Sequence, residues 1–384
     1  MGIFLLIVGL LLFIGLVVVH ELGHFLAARR GGVDVEEFGI FFPPRLYKRK
    51  TKAGYDFTVN LLPLGGFVKL KGEHDSDTGK GAYGAAPTRT KVQIMLAGVF
   101  MNLVTALVLF TALALIGMPK LLDNQFTVKS DTKVAKHEVM IAYVEPKSPA
   151  EKAGLTARDQ LVSVGGAQVT TADNLPGLTK RHAGQPVRIV YIHNGRQQST
   201  TATLLTSKAV TASQKTDNPK GYLGITPTEF TLQRSTWSAP VVAVGLSAQL
   251  TALTFQGLGH AVAGLGGILA GAVTGNHDAR ENAQTTASSQ VSGPVGIFVV
   301  LKDGSLLGYQ FMLLIIAVIS LTLAIMNVLP IPALDGGRLF VMAISRLLKK
   351  PVSPQMEEAI YGTGFAVLML LIIVISIVDV KRFF

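Results

Sequence analysis

The sequence predicts a polytopic α-helical membrane protein: about four transmembrane helices, a membrane-associated β-element after the first span and a β-rich domain inserted after the second. Three observations predict it. Apolar residues make up 49% of the 384 positions and charged residues only 15%, with a mean hydropathy of +0.44, a balance that belongs to integral membrane chains rather than soluble enzymes. Four apolar runs are each long enough to cross a hydrocarbon core of roughly 30 Å at about 1.5 Å per helical residue. Between them, two regions alternate apolar and polar residues with Gly and Pro punctuation, which is the period-two pattern of strands.

The first run extends from Ile3 to about Phe25 and is followed by Arg29 and Arg30. No basic residue precedes it, and cleavage at Ala27-Ala28 would discard its polar end, so it reads as a retained span rather than a signal peptide. Residues 31–93 hold Glu37 to Phe42, Tyr55 to Asn60 and Leu64 to Leu70, which read as two or three strands. Pro43-Pro44 and a basic cluster (Arg45, Lys48, Arg49, Lys50, Lys52) lie between the first two. Gly65-Gly66 lets the backbone bend or approach another chain. The region is either a small surface hairpin or a sheet with an open edge beside an active site. The second span, about Val92 to Met118, carries Gly98 and Asn102; the amide is either a site residue or a packing group between helices.

From Pro119 to about Trp237 the chain is soluble in character, with a β-rich core from Val139 to about Leu205 and short helices at 149–153 and 173–182. Residues 239–272 contain no Lys, Arg, Asp or Glu but are rich in Gly and hold Gln249, Gln256 and His260. They read as an interfacial or partly embedded helix, followed by a polar linker at 275–290 and a tight turn at 292–297. A third span runs from about Phe311 to Leu329 and a fourth from about Ala359 to Val378. The resulting division is 1–118, 119–235, 236–300 and 301–384.

Net charge is +11 and there is no cysteine, which excludes disulfides, thiolate metal sites and a thiol nucleophile. The basic excess is divided among loops beside apolar runs, which disfavours a nucleic-acid partner and points to membrane topology. The loop from Arg29 to Lys91 has twelve Lys/Arg against seven Asp/Glu. Placing it and residues 338–356 inside puts both termini and the β-rich domain outside.

The chemistry lies in two motifs. His20-Glu21-Leu22-Gly23-His24 ends the first span, and His residues four apart share a helix face and can hold one Zn²⁺, with Glu21 as general base. H-E-x-x-H also arises by chance, but ionisable groups in a hydrocarbon-level helix are costly without a purpose. Pro330 and Pro332 interrupt the third span before Asp335-Gly336-Gly337, which frees the backbone there. Asp335 suits the third oxygen ligand of a catalytic zinc, and equally a helix N-cap; the two roles are compatible. Asn327 is a candidate for orienting a ligand or bonding substrate backbone, or a packing amide. The topology brings His20/His24 and Asp335 to one depth near the inner face.

In these motifs the chain resembles the site-2 protease family (peptidase M50), and within it the bacterial RseP/RasP-type intramembrane zinc metalloproteases. The matching pieces are His20 to His24, Gly65 to Leu70, Gly98 to Asn102, Ser292 to Ile297 and Asn327 to Gly337. The resemblance implies one zinc ion on His20, His24 and Asp335, Glu21 as catalytic base, and a β-element near the active site in which Gly66 and Phe67 are candidates for contact with substrate. It implies a multi-pass protein of the bacterial cytoplasmic membrane that cuts transmembrane segments of membrane proteins, such as trimmed anti-sigma factors or signal-peptide remnants. The β-rich domain, about 135–206, looks like a single PDZ domain that takes a peptide or substrate ectodomain or gates access. A non-catalytic PDZ-bearing membrane scaffold is the alternative.

Overall fold

In the computed structural model, residues 2–73, 77–214, 219–274, 293–350 and 352–383 are described. The linker expected at 275–290 lies outside them. In chain order the first elements are α1 (Gly2–Arg30), β1 (Val35–Lys50), β2 (Asp56–Leu70), α2 (Thr88–Ile116) and β3 (Met118–Pro119). Then come β4 (Lys133–Val144), α3 (Pro149–Lys152), β5 (Gln160–Val164), β6 (Ala167–Gln168), α4 (Leu175–Arg181), β7 (Pro186–His193), β8 (Arg196–Thr203), α5 (Ser207–Ser213) and β9 (Ile225–Arg234). The chain closes with α6 (Ala239–Thr274), α7 (Pro294–Leu307), α8 (Tyr309–Val328), α9 (Asp335–Leu347) and α10 (Pro354–Phe383). They form two compact units: one of Met1–Ile116, Phe126–Val128 and Trp237–Phe384, the other of Gly117–Gln125 and Lys129–Thr236.

In the first unit, five helices among the described residues are long and apolar enough to cross a membrane: α1, α2, the Ala239–Gly264 part of α6, α8, and α10 to Lys381. This corrects the expectation of about four, because α6 joins the set. Its polar residues do not prevent a span. Thr251 and Thr254 donate back to the carbonyls of Ser247 and Leu250 at 2.7 and 2.9 Å, and Gln249 accepts from the Phe126 N–H at 3.0 Å, so these groups are satisfied without water.

α1 and α8 run in the same direction. A side chain on Gly9 would overlap Met312, Leu16 shares a buried cluster with Met312 and Ile316, and His24 lies beside Asp335 further on. α2 runs the other way between them: Ile94 reaches His24, Asn102 reaches His20, and the Asn102 carbonyl accepts from Ser320 Oγ at 2.8 Å. α1 and α2 approach closely at Gly23, where an added Cβ would stand 2.8 Å from the Ala97 carbonyl carbon. Only a small residue permits that contact, as at other intramembrane crossings.

The β-element has four strands rather than two or three. β1 turns at Pro43-Pro44 and β2 at 63–65, and Gly39 pairs with both Phe67 and Thr58. The order across the sheet is therefore 66–70, 35–42, 56–60, 45–50, all antiparallel. Asn60 Nδ2 closes one corner on the carbonyls of Ile40 and Phe41 at 3.3 and 3.0 Å. The sheet is rooted in the helices through a buried cluster of Ala28, Val33, Val35, Leu70, Ile94 and Met95.

Two further differences follow from tertiary partners. The segment beginning at Gly293, expected as a tight turn, opens the helix α7. Asp379, buried on α10, accepts from the N–H groups of Gly293 and Gly296 at 2.8 Å each, supplying from another helix the cap that α7 lacks locally. The inner loop expected at 338–356 contains α9, an amphipathic helix.

The second unit is a sheet in the order β3-β9-β4-β5-β7-β8, with β6 on β5. Val139, Ile141, Leu161, Val187, Ile189 and Leu223 belong to its buried core. β7 and β8 are joined by Asn194-Gly195, both at positive φ (51° and 78°), the two-residue turn that matches strand twist.

Candidate metal centre

His20 and His24 project from one face of α1, and α2 leaves room for them at Gly98, where any side chain would overlap both rings. The rings lie edge to face with centroids 4.8 Å apart. Asp335 is the first residue of α9, and its helix is capped at Leu334 with no side-chain bond. Asp335 is thus free of the N-cap role the sequence allowed it. The turn that delivers it is tight: Ala333 sits at φ 83°, a left-handed conformation that non-glycine residues adopt at a cost of about 1–2 kcal/mol. Any side chain at Gly336 or Gly337 would strike the carbonyls of Val328, Leu329 and Ile331. The Gly pair therefore folds α9 back against the end of α8.

Three atoms converge. His20 Nε2 and His24 Nε2 are 3.1 Å apart, and Asp335 Oδ2 is 3.2 Å from each. His24 Nδ1 lies 2.8 Å from the Ile94 carbonyl, so Nδ1 carries the proton and donates it, leaving a lone pair on Nε2. Asp335 Oδ2 is buried and accepts no hydrogen bond. These are the only three His, Asp or Glu side chains among the described residues that cluster as a metal site. Tetrahedral zinc with ligands at about 2.0–2.1 Å has ligand–ligand edges of about 3.3–3.4 Å. The observed triangle matches one face of that tetrahedron to within about 0.2 Å, which leaves the fourth vertex open. The donor set fits zinc.

Glu21 follows His20 by about 100° around the helix and faces the sheet. Its Cγ would stand 3.0 Å from a Cβ on Gly66, and Val17 would stand 3.5 Å from the same point. Gly66 thus brings the outer strand of the β-element against the carboxylate side chain. Phe67 lies over Gly39, where any side chain would overlap the ring.

Asn102 Nδ2 lies 3.3 Å from His20 Nδ1, while Asn102 Oδ1 is buried without a partner. Asn327 Nδ2 donates to the Leu323 carbonyl of its own helix at 3.0 Å. Sequence reasoning missed the Ile94 carbonyl on His24, since a backbone acceptor leaves no residue signal.

The model of peptidase family M50 matches residues 8–371. A candidate zinc metalloprotease of Clostridium acetobutylicum is 30% identical over 382 residues, covering 99% of this chain and 98% of that one. The zinc metalloproteases RasP of Shouchella clausii and Geobacillus kaustophilus are each 26% identical, covering 96% and 98% of this chain and 97% of their own. A PDZ domain of the SdrC-like protein of Listeria monocytogenes covers 25% of the chain at 22% identity with a TM-score of 0.20, a likeness too slight to assign the fold of the β-rich unit. The family match along nearly the whole chain and a donor set shaped for zinc lead to one conclusion: the chain belongs to peptidase family M50 and is a zinc metalloprotease.

Proposed function

We propose that the protein hydrolyses peptide bonds within or near transmembrane segments of other membrane proteins. The observation that carries this is the triangle of His20, His24 and Asp335 at the end of a 29-residue apolar helix, with Glu21 beside it and a strand edge facing Glu21. His20, His24 and Asp335 would hold one zinc ion, which supplies a Lewis acid and lowers the pKa of water. Glu21 takes the proton from the attacking water and returns it to the leaving amine. A helical substrate satisfies its own amides and must unwind to present a carbonyl; strand 66–70 can then pair with it as an added strand, with Gly66 and Phe67 at the point of contact.

Asn102 orients His20. Turned over about its last bond, the amide places Oδ1 against the ring Nδ1–H, satisfies the orphaned oxygen and fixes the tautomer whose Nε2 lone pair faces Asp335. Asn327, half-buried near the end of α8, is held for a bond to substrate backbone after unwinding. The basic loop at 29–91 supports a bacterial cytoplasmic membrane protein with the N terminus and the β-rich unit outside and the metal centre near the inner face. The β-rich unit reads as a PDZ domain, followed by Gly221-Tyr222-Leu223-Gly224-Ile225, which leads into β9. Substrates of the trimmed anti-sigma or signal-peptide-remnant kind fit this arrangement. A scaffold without chemistry leaves the convergence of three ligand atoms on Glu21's helix unexplained.

The test is cleavage of a tagged transmembrane substrate by purified protein in detergent beside Glu21→Gln, with zinc measured in both. The expected result is one zinc per chain in both and a rate lower by about 10²–10⁴-fold in the variant. Zinc in neither preparation overturns the reading.

A further inference from the structure

The helix that begins with Asp335 has two unlike faces. One is docked on protein. Gly336 and Gly337 are buried, Leu339 packs beside the cluster at the root of the β-element, and Arg338 pairs with Glu73 at 3.6 Å and lies 5.3 Å over the Tyr361 ring. The other face is apolar and uncovered: Phe340 is 49% exposed, Ile344 39%, Leu347 82% and Leu348 62%. At about 100° per residue these four fall within an arc of about 100°. Lys349 and Lys350 follow at once, both exposed, and among the described residues neither makes an ion pair. Arg346 lies on the flank, bonded to Thr88 at the start of α2.

The position of this helix in the chain says what covers the apolar face. α8, of 20 residues, spans about 30 Å, the thickness of a hydrocarbon core, and ends at Val328, just before α9. α10 starts another span at Pro354, just after Leu348. A short amphipathic helix tied at both ends to spans lies along the membrane boundary, and its apolar arc faces acyl chains. Basic residues at that boundary are drawn to anionic headgroups. Arg29 and Arg30, at the end of α1, add to the same positive rim. We propose that α9 is an in-plane anchor, with Phe340, Ile344, Leu347 and Leu348 in the lipid and Lys349 and Lys350 on anionic phospholipid headgroups. The metal ligand Asp335 is then the first residue of a lipid-held helix.

The absence of cysteine gives a clean test on the full-length protein, with no proteolysis read, so that failure here and failure of the protease reading are separate results. Leu347→Cys and, separately, Leu348→Cys are labelled with an environment-sensitive fluorophore and reconstituted into vesicles of phosphatidylcholine alone or mixed with phosphatidylglycerol. A label at Lys208→Cys, on exposed α5, is the solvent reference. The expected result is quenching by brominated acyl chains and protection from aqueous iodide in the mixed vesicles. Protection should fall several-fold in neutral vesicles, and likewise when Lys349→Glu and Lys350→Glu are introduced together. Iodide access equal to that of the reference label in both vesicles overturns the proposal. So does equal protection in neutral and anionic vesicles, which removes the headgroup contact, and so does protection that appears only when another protein is added.

Discussion

The described residues form two antiparallel sheets, and their cores differ in kind. The sheet from β3 to β9 closes on its own side chains: Val139, Ile141, Leu161, Val187 and Ile189 are all at most 3% exposed and all within one cluster. Among the described residues the four-stranded β-element has no such core. Its buried Val35 and Leu70 pack with Ala28 of α1 and with Ile94 and Met95 of α2, and Ile94 is the residue whose carbonyl orients His24. The first sheet is a domain; the second is an extension of the metal centre. A sheet that borrows its core from the helices bearing the ligands places its strand edge with the rigidity of those helices, which is what holding a substrate beside Glu21 requires.

The largest break in that comparison comes from the third ligand. Asp335→Ala leaves two imidazoles where catalytic zinc takes three protein ligands. Activity is expected to fall below detection, with zinc dropping well under one per chain by elemental analysis. The β-rich unit should keep its folded signature in proteolysis. Zinc retained at full occupancy in Asp335→Ala sinks the ligand assignment.

The next effect is smaller and tells two hydrogen-bond patterns apart. If Asn102 presents its oxygen to His20, Asn102→Ala lowers zinc affinity by about 10–100-fold, measured by chelator competition, while Asn102→Asp, which keeps an acceptor, stays much closer to the parent. If the amide nitrogen faces the ring instead, both variants lose affinity alike.

How much of this was legible in the residues depends on how local the cause is. His20, Glu21 and His24 declare themselves because helix geometry alone brings i and i+4 together. Asp335 joined them through a topology of four spans, a count the inclusion of α6 overturns; it is the parallel course of α1 and α8 that brings the two motifs together. The inclusion of α6 among the span-length helices was not legible, since its glycines and polar side chains read as interfacial until Thr251 and Thr254 are seen bonded to the carbonyls of Ser247 and Leu250, and Gln249 to the Phe126 N–H. α9 was legible only in part: Asp335 could be read as the cap of a helix beginning at Gly336, but the apolar arc of that helix declares itself only when the opposite face is seen docked. The four strands of the β-element were undercounted because the basic stretch 45–50 carries no apolar alternation, and it pairs with 56–60 only once Pro43-Pro44 has turned the chain. Asn102's orphaned oxygen and the Ile94 carbonyl are properties of packing, and no residue pattern encodes them.

The smallest expected effect on the metal centre comes from damage to the other sheet. Ile189 is fully buried between β5 and β8, and Ile189→Ala removes side-chain volume that the surrounding core cannot wholly refill. The cost is about 2–5 kcal/mol, a large share of the stability of a domain this size. Limited proteolysis at graded denaturant should show residues 129–236 opening earlier by that amount. Zinc content and the rate on a short detergent-soluble transmembrane peptide should stay at the parental level, because the buried cluster to which Ile189 belongs is made of residues 139–223. A fall in zinc with Ile189→Ala would mean that the two sheets are not independent in the way their cores imply. A fall in the rate alone, and only on substrates with a folded outer domain, would place the second sheet in substrate access and leave the metal centre self-sufficient.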